Sequence, residues 1–132
     1  MAGIPIGAKG EYKTMVTTDI AIDFLGREDA RVLATPWLIM LLEMTCRNLI
    51  KEHVEPGFDS VGTHVDVKHL AATPLGMRVT FHAEVVNVDE RRVNCRVEAF
   101  DEREKIAEGT HERFVINVER FAGRIQAKLR GE

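Results

Sequence analysis

The chain has few of the features that mark several large protein classes. Its 132 residues include two cysteines, Cys46 and Cys95, whose spacing fits neither a metal-binding pair nor a disulfide framework. The longest apolar stretch, residues 32–42, is interrupted by Thr35 and Pro36 and is too short to cross a bilayer. A formal net charge of −3 gives no sign of the basic face that nucleic-acid binding requires. We therefore expect neither a membrane nor a nucleic-acid partner.

Length and composition predict an ordinary globular protein. With 45% apolar and 30% charged residues, residues 1–132 fit one domain with a substantial core. The first ten residues have no basic segment followed by an apolar one, so we expect no secretory signal. Because a disulfide framework is also missing, the sequence predicts a reduced, cytoplasmic protein.

The spacing of apolar residues predicts one long helix and five strands. Thr35 as N-cap and Pro36 as first helical residue start the helix, which we expect to run to about His53 before Pro56-Gly57 ends it. A period of two predicts strands within residues 11–20, 61–70, 78–87, 92–100 and 105–118. Strands with one apolar face form an antiparallel sheet with one covered side, and the helix is the obvious cover. The order β–α–β–β–β–β is that of the α+β hotdog fold, a sheet wrapped around one central helix.

The same alternation predicts which side chains face the helix. The expected inward residues of the second and last strands are Val61, Val65, Val67 and His69, then Phe114, Ile116 and Val118. We expect His64 and His82 on the polar face, a bulge at Gly109, and both cysteines in the core. The basic tail, residues 119–132, predicts a solvated helix face, with binding of anionic phosphates as the alternative.

Glu43 is the most informative residue of the sequence, because it is the one charged side chain in the apolar run of residues 36–44. A helix that is apolar all round is normally buried all round. Burying an ionised carboxylate costs several kcal/mol, roughly, unless it is paired, hydrogen-bonded or neutralised. Glu43 therefore requires a partner or a shifted pKa, and both are common at active sites. The alternative is a simple i+4 pair with Arg47 that supports the helix.

Thr35 and His69 extend Glu43 into a candidate catalytic group. Thr35 lies at the helix N-terminus, about 12 Å along the axis from Glu43, and His69 faces inward on a strand that should cross the helix. A carboxylate, an imidazole and a hydroxyl are the components of an acyl-transfer site, and the backbone amide of Gly62 is a candidate oxyanion donor. Each residue also has a structural explanation: a cap for Thr35, a core histidine for His69, and a bulge or close backbone approach for Gly62.

Three segments carry a family resemblance. In the first, Val-Leu-Ala-Thr…Leu-Glu, Thr35 precedes Glu43 by eight residues. The second, residues 61–76, contains Val-Gly-Thr and a His-x-x-Ala-Thr-Pro turn. The third, residues 109–113, reads Gly-Thr-His-Glu-Arg. Over roughly residues 12–124 the chain resembles the fluoroacetyl-CoA thioesterase family and its bacterial relatives, all hotdog proteins.

The resemblance implies an acyl-CoA substrate and a homodimer with active sites at the subunit interface. We expect no cofactor, and the alternative assembly is a tetramer. Thr35, Glu43 and His69 would be the catalytic residues, gathered from both chains, and the Gly62 amide would bind the thioester oxygen. Glu43 would attack the carbonyl or activate water.

Two departures from the family concern the acyl group. Pro36-Trp37 follows Thr35 where the fluoroacetyl-specific enzyme has a small residue, and the segment before Thr35 is shorter and poorer in aromatics. We therefore predict a thioesterase for a short or medium acyl-CoA. The alternatives are a non-catalytic acyl-CoA or small-ligand binding protein, and an enoyl-CoA hydratase, because fold does not determine function. We expect no metal, since His111-Glu112 lacks the second histidine of a helical zinc motif.

Overall fold

A five-stranded antiparallel sheet curls around one long helix in the computed structural model, which describes residues 3–132. The elements are β1 (Lys9–Met15), α1 (Thr35–Lys51), β2 (Phe58–His69), β3 (Arg78–Asp89), β4 (Arg92–Phe100), β5 (Lys105–Asn117) and α2 (Val118–Leu129), with 3₁₀ turns at Thr18–Ile20 and Glu28–Ala30. The strand order is β1-β3-β4-β5-β2, so β1 and β2 form the two edges. The predicted α+β arrangement is confirmed.

Helix α1 begins one residue earlier than predicted. Ala34 is the N-cap and makes no side-chain capping bond, Thr35 is the first helical residue, and Pro36 follows it. Proline is tolerated there because amide groups in the first helical turn have no intrahelical acceptor. The prediction that Thr35 caps the helix is therefore wrong, and its hydroxyl is free for another partner.

One face of α1 packs on the concave side of the sheet. The buried helix residues are Leu38, Leu41, Leu42, Thr45, Cys46, Leu49 and Ile50. They meet the alternating inward residues of β3 and β4, namely Val79, Phe81, Ala83 and Val85, then Val93, Cys95, Val97 and Ala99. The other face is open: Trp37 and Met40 are 37% and 54% exposed. The prediction that the helix is buried on every side is wrong, and the predicted core positions of both cysteines are confirmed.

A β-bulge in β2 changes the predicted inward set. Gly62 lies opposite Arg113 and His64 opposite Glu112, so Thr63 is an extra residue. Val61 therefore lies on the outer face, against prediction, whereas Val65, Val67 and His69 lie on the inner face as expected, opposite His111, Gly109 and Ala107. His64 lies on the outer face, as predicted.

The side chains of β5 that face the helix are the odd-numbered ones, whereas the even-numbered ones were predicted to do so. Val93 and Cys95 of β4, both inward, lie opposite Arg113 and His111, so odd-numbered residues of β5 face the helix. Phe114 and Ile116 lie on the other face, and Val118 starts α2. The prediction failed because the inward row contains polar residues.

Gly109 does not host a bulge, because its register with Val97 and Val67 is regular. A Cβ atom at Gly109 would instead collide with the carbonyl oxygen of Asp66. Glycine is needed there for the close approach of β2 to β5.

Helix α2 contains no buried residue, in agreement with the predicted solvated face. The Asn117 side chain caps it by accepting a hydrogen bond from the Arg120 amide at 3.0 Å. Neither α1 nor α2 is long and apolar enough to cross a membrane within residues 3–132.

Candidate active site

Thr35 and His69 are in direct contact, as the candidate group requires. Thr35 Oγ1 lies 2.7 Å from His69 Nδ1. The other ring nitrogen, Nε2, is buried and has no hydrogen-bond partner among residues 3–132. Burial lowers the pKa of His69, and the nearby backbone of Ala71 opposes this effect only partly. The imidazole is therefore neutral at neutral pH.

The backbone around Thr35 and His69 is tied together. The segment before α1 hydrogen-bonds to the turn after β2, from the Leu33 amide to the Thr73 carbonyl at 2.9 Å. Thr73 is fully buried, and its hydroxyl donates to Asp101 Oδ2 at 3.0 Å. Since Leu33 and Thr73 flank Thr35 and His69 in the chain, these bonds fix the distance between the two side chains.

Glu43 has partners of its own, but it is not fully buried. Its side chain is 37% exposed, and Oε1 lies 3.6 Å from Arg113 Nη1 and 3.5 Å from His111 Nε2. The alternative pairing with Arg47 is wrong, because Arg47 donates to both oxygens of Asp59 at 3.1 and 2.8 Å. Glu43 therefore faces a buried cation on β5 rather than its helical neighbour.

Gly62 allows the Glu43 carboxylate to lie directly against β2. A Cβ atom at Gly62 would collide with Glu43 Oε1 and lie 3.1 Å from His111 Cε1. Both structural explanations considered for Gly62 therefore apply, since it adjoins the bulge and permits a close approach. Any larger residue would displace the carboxylate.

Arg113 and His111, which sequence reasoning missed, complete the surroundings of Glu43. Arg113 is 5% exposed, and it donates from Nε to Ser60 Oγ and from Nη2 to the Ser60 carbonyl, both at 2.7 Å. Burial lowers the pKa of Arg113, and the negative charge of Glu43 opposes this. The available signal was the register: both residues lie opposite inward residues of β4.

A cavity of about 560 Å³ opens beside Glu43. Its lining includes Met40, Met44, Ser60, Gly62, Arg113 and Ile116. Apolar walls with a few convergent polar groups are typical of small-ligand sites. Met40 and Met44 thus line this cavity, and Trp37 is not among its lining residues.

The four candidate residues form two separate pairs within one protomer. Thr35 contacts His69, and Glu43 lies against Gly62. Thr35 and Glu43 are separated by about 12 Å along α1. Gly62 and His69 are roughly 20 Å apart along extended β2. One chain therefore does not bring Thr35, Glu43 and His69 together.

His111 and Glu112 do not form a metal pair. His111 is buried against α1, whereas Glu112 lies on the outer face, where Thr63 donates to its carboxylate at 2.6 Å. Within residues 3–132, no group of three or more His, Cys, Asp or Glu side chains is placed to hold a metal ion.

Comparison with known proteins identifies the family. A family model described as fluoroacetyl-CoA-specific thioesterase matches residues 16–119. The chain belongs to this family. It is 42% identical over 101 residues to the fluoroacetyl-CoA thioesterase of Streptantibioticus cattleyicolor, which covers 76% of this chain and 73% of that protein.

Solved structures agree with this assignment. A fluoroacetyl-CoA thioesterase of known structure is 35% identical, with a TM-score of 0.85 over 96% of this chain and 98% of the other. A hypothetical protein of Thermus thermophilus, a thioesterase superfamily member, is 28% identical, with a TM-score of 0.84 over the full length of both chains. The predicted hotdog fold and the family resemblance are confirmed.

Proposed function

We propose that this protein hydrolyses a short or medium acyl-CoA thioester, with Thr35, Glu43 and His69 acting together at an interface between two copies of the chain. The observation that carries the proposal is the Glu43 carboxylate, held against Gly62 and opposite the buried Arg113 at the edge of an open cavity. Membership of a thioesterase family supports hydrolysis as the reaction.

Two copies are proposed because the two residue pairs lie apart on an edge strand. The outer edge of β2 has no neighbouring strand in the protomer, and such edges readily pair with another chain. Antiparallel pairing of β2 with itself about Asp66 keeps inward residues opposite inward ones and, because Thr63 is an extra residue, would set Gly62 opposite His69 of the partner subunit. Glu43 of one protomer would then meet Thr35 and His69 of the partner subunit.

The proposed chemistry divides between the two pairs. Glu43 either removes a proton from water as that water attacks the thioester carbonyl, or attacks the carbonyl itself. The Gly62 amide stabilises the negative charge on the carbonyl oxygen. The carbon–sulfur bond then breaks and the free CoA thiol leaves. After attack by water the other product is the carboxylic acid, whereas after attack by Glu43 a water molecule must first hydrolyse the resulting anhydride to give the acid and restore the Glu43 carboxylate.

The Thr35–His69 pair contributes a neutral donor to this scheme. When the Thr35 hydroxyl donates to Nδ1, the ring carries its hydrogen on Nε2, the nitrogen that has no partner in the protomer. A thioester bound at the interface would accept from Nε2, as charge develops on its oxygen or sulfur, once the atoms that cover Nε2 in the protomer have moved aside.

The cavity supports a short or medium acyl group. Its volume of about 560 Å³ and its lining by Met40 and Met44 suit a modest apolar chain. Trp37, two residues after Thr35 and partly exposed, adds apolar surface near the proposed second half of the site. Specificity for fluoroacetyl-CoA is therefore not part of the proposal.

Release of free thiol from a panel of acyl-CoAs, acetyl to long-chain, tests the proposed reaction. We expect turnover of short or medium substrates, and a loss of about 10²–10⁴-fold in kcat for Glu43→Gln, as for a removed acid–base group. Binding of acyl-CoA without thiol release would identify a non-catalytic binding protein. Hydration of an enoyl-CoA, followed by loss of its absorbance, would identify a hydratase.

A further inference from the structure

His111 takes no part in the proposed chemistry, yet both of its ring nitrogens are engaged. The side chain is 1% exposed. Nδ1 lies 2.8 Å from the His64 carbonyl oxygen on β2, and Nε2 lies 3.1 Å from Arg113 Nη1 on β5. A histidine that only filled space in the core would not need two hydrogen bonds of such different kinds.

The two partners determine where the ring hydrogen lies. A carbonyl oxygen can only accept, so Nδ1 must carry a hydrogen. A guanidinium can only donate, so Nε2 must keep its lone pair. The ring is therefore neutral and in the Nδ1–H form. Burial lowers the pKa of His111, which agrees with this state.

The bond to His111 involves the guanidinium nitrogen that faces Glu43. Arg113 Nε and Nη2 are both bonded to Ser60, which leaves Nη1 for His111 and Glu43. His111 Nε2 also lies 3.5 Å from Glu43 Oε1, but a lone pair has no attraction for a carboxylate oxygen. Any effect of neutral His111 on Glu43 therefore passes through Arg113.

We propose that His111 is a positioning residue whose Nε2 lone pair holds Arg113 Nη1 in place, and thereby holds the Glu43 carboxylate at the cavity. This inference rests on the proposed function, in which Glu43 is the reactive carboxylate. His111 contacts neither substrate nor reacting atoms, and its contribution is to the geometry of the Arg113–Glu43 pair.

Two substitutions of His111 separate positioning from packing. Asparagine places an amide near the position of Nδ1 and keeps a donor for the His64 carbonyl, but it has no atom at the position of Nε2. Glutamine reaches that position and offers an oxygen to Arg113. If His111 only fills the core, the smaller asparagine lowers stability without a particular effect on kcat.

The experiment combines nitrogen NMR with kinetics. In the wild-type protein labelled with ¹⁵N-histidine and ¹⁵N-arginine, we expect a protonated Nδ1 and an unprotonated Nε2 for His111, and an Arg113 Nη1–H signal that is protected from exchange with water. His111→Asn should lose that protection and lower kcat by at least 10-fold with a smaller change in KM. His111→Gln should retain both. An Nε2–H form in the wild type would overturn the inference, as would Asn and Gln variants of equal kcat.

Glu43→Gln in the same assays distinguishes the two proposals. If Glu43→Gln is inactive and His111→Asn is as active as the wild type, the inference about His111 is wrong and the proposed function stands. If Glu43→Gln is fully active, the proposed function fails, whatever His111 does. In that case the Arg113 N–H signal still tests the inference: its protection from exchange in His111→Asn and His111→Gln shows whether His111 holds Arg113 in place.

Discussion

The proposed site has two ends, the Glu43–Gly62 pair and the Thr35–His69 pair. They differ in how many of their hydrogen bonds and ion pairs form within one chain. At one end, Glu43 faces Arg113, whose nitrogens are bonded to Ser60 and His111, all held by helix–sheet packing. At the other end, the exposed Thr35 and the half-buried His69 share one hydrogen bond, and His69 Nε2 has no partner among residues 3–132. The polar groups of the first end are bonded within the protomer, whereas the second has a buried ring nitrogen that none of the described residues bonds. Substitutions should therefore affect stability as well as activity at the first end, and activity alone at the second.

The largest effect on stability is expected for Arg113→Met. The substitution leaves the Ser60 oxygens, His111 Nε2 and the Glu43 carboxylate without their common donor. Unsatisfied buried polar groups cost about 1–3 kcal/mol each, so we expect the free energy of unfolding to fall by about 3 kcal/mol. Urea unfolding measures the change. A loss below about 1 kcal/mol would contradict a tightly bonded Glu43 end.

Thr35→Val tests the opposite expectation at the other end of the site. Valine matches the shape of threonine but cannot bond to His69, and Thr35 is exposed and does not cap the helix. We expect at least a 10-fold loss of kcat with a stability change within about 0.5 kcal/mol. Thr35→Ser is the control and should retain most activity. A large loss of stability in Thr35→Val would remove the difference between the two ends.

Gly62→Ala tests the close approach of Glu43 to β2. The added methyl group would collide with Glu43 Oε1, so the carboxylate must move. We expect kcat to fall by at least 10-fold in thiol release. The matched control is Gly123→Ala in α2, where a Cβ atom meets nothing within 4 Å. The control should retain wild-type activity and gain up to about 1 kcal/mol of stability from helix propensity. Equal activity of both variants would refute the close contact.

The smallest effect is expected from pH. Burial lowers the pKa of both His69 and His111 below the ordinary value of 6.5, so the unfolded chain binds protons more readily than the folded one as the pH falls. The stabilising contribution of the neutral histidines is complete above about pH 6.5 and declines below it. The midpoint temperature of thermal unfolding should fall between pH 7 and pH 5, and this decrease should be smaller in His111→Gln than in the wild type. An identical drop in that variant would exclude His111 as a source.

The fold was largely predictable because its signals are local. The Thr-Pro start of α1 and the alternation of β3 and β4 depend on neighbouring residues, and they predicted the helix and the core. The inward rows of β2 and β5 were not predictable in the same way. In β2, Thr63 is an extra residue, so that odd-numbered residues face outward before it and inward after it. In β5, the inward residues His111 and Arg113 are polar. An alternation of apolar residues cannot reveal an inward row of charged ones.

Of the candidate site, the sequence singled out Thr35, Glu43, His69 and Gly62, but it predicted neither the direct contact between Thr35 and His69 nor the partner of Glu43. Arg47 is near in the chain, whereas Arg113 comes close only through the register of β5 against β4. The separation of the two pairs could not be seen either, because it depends on the direction of β2 relative to α1.

If one site takes Glu43 from one chain and His69 from another, a mixture of two inactive variants should regain activity. Glu43→Gln and His69→Ala are unfolded together, refolded as a mixture, and assayed for thiol release. In a two-fold dimer with shared sites, each mixed dimer carries one intact site, so about a quarter of wild-type activity should return. If both residues act within a single chain, no mixed dimer contains an intact site. A mixture as inactive as its two components would contradict the sharing of sites between chains.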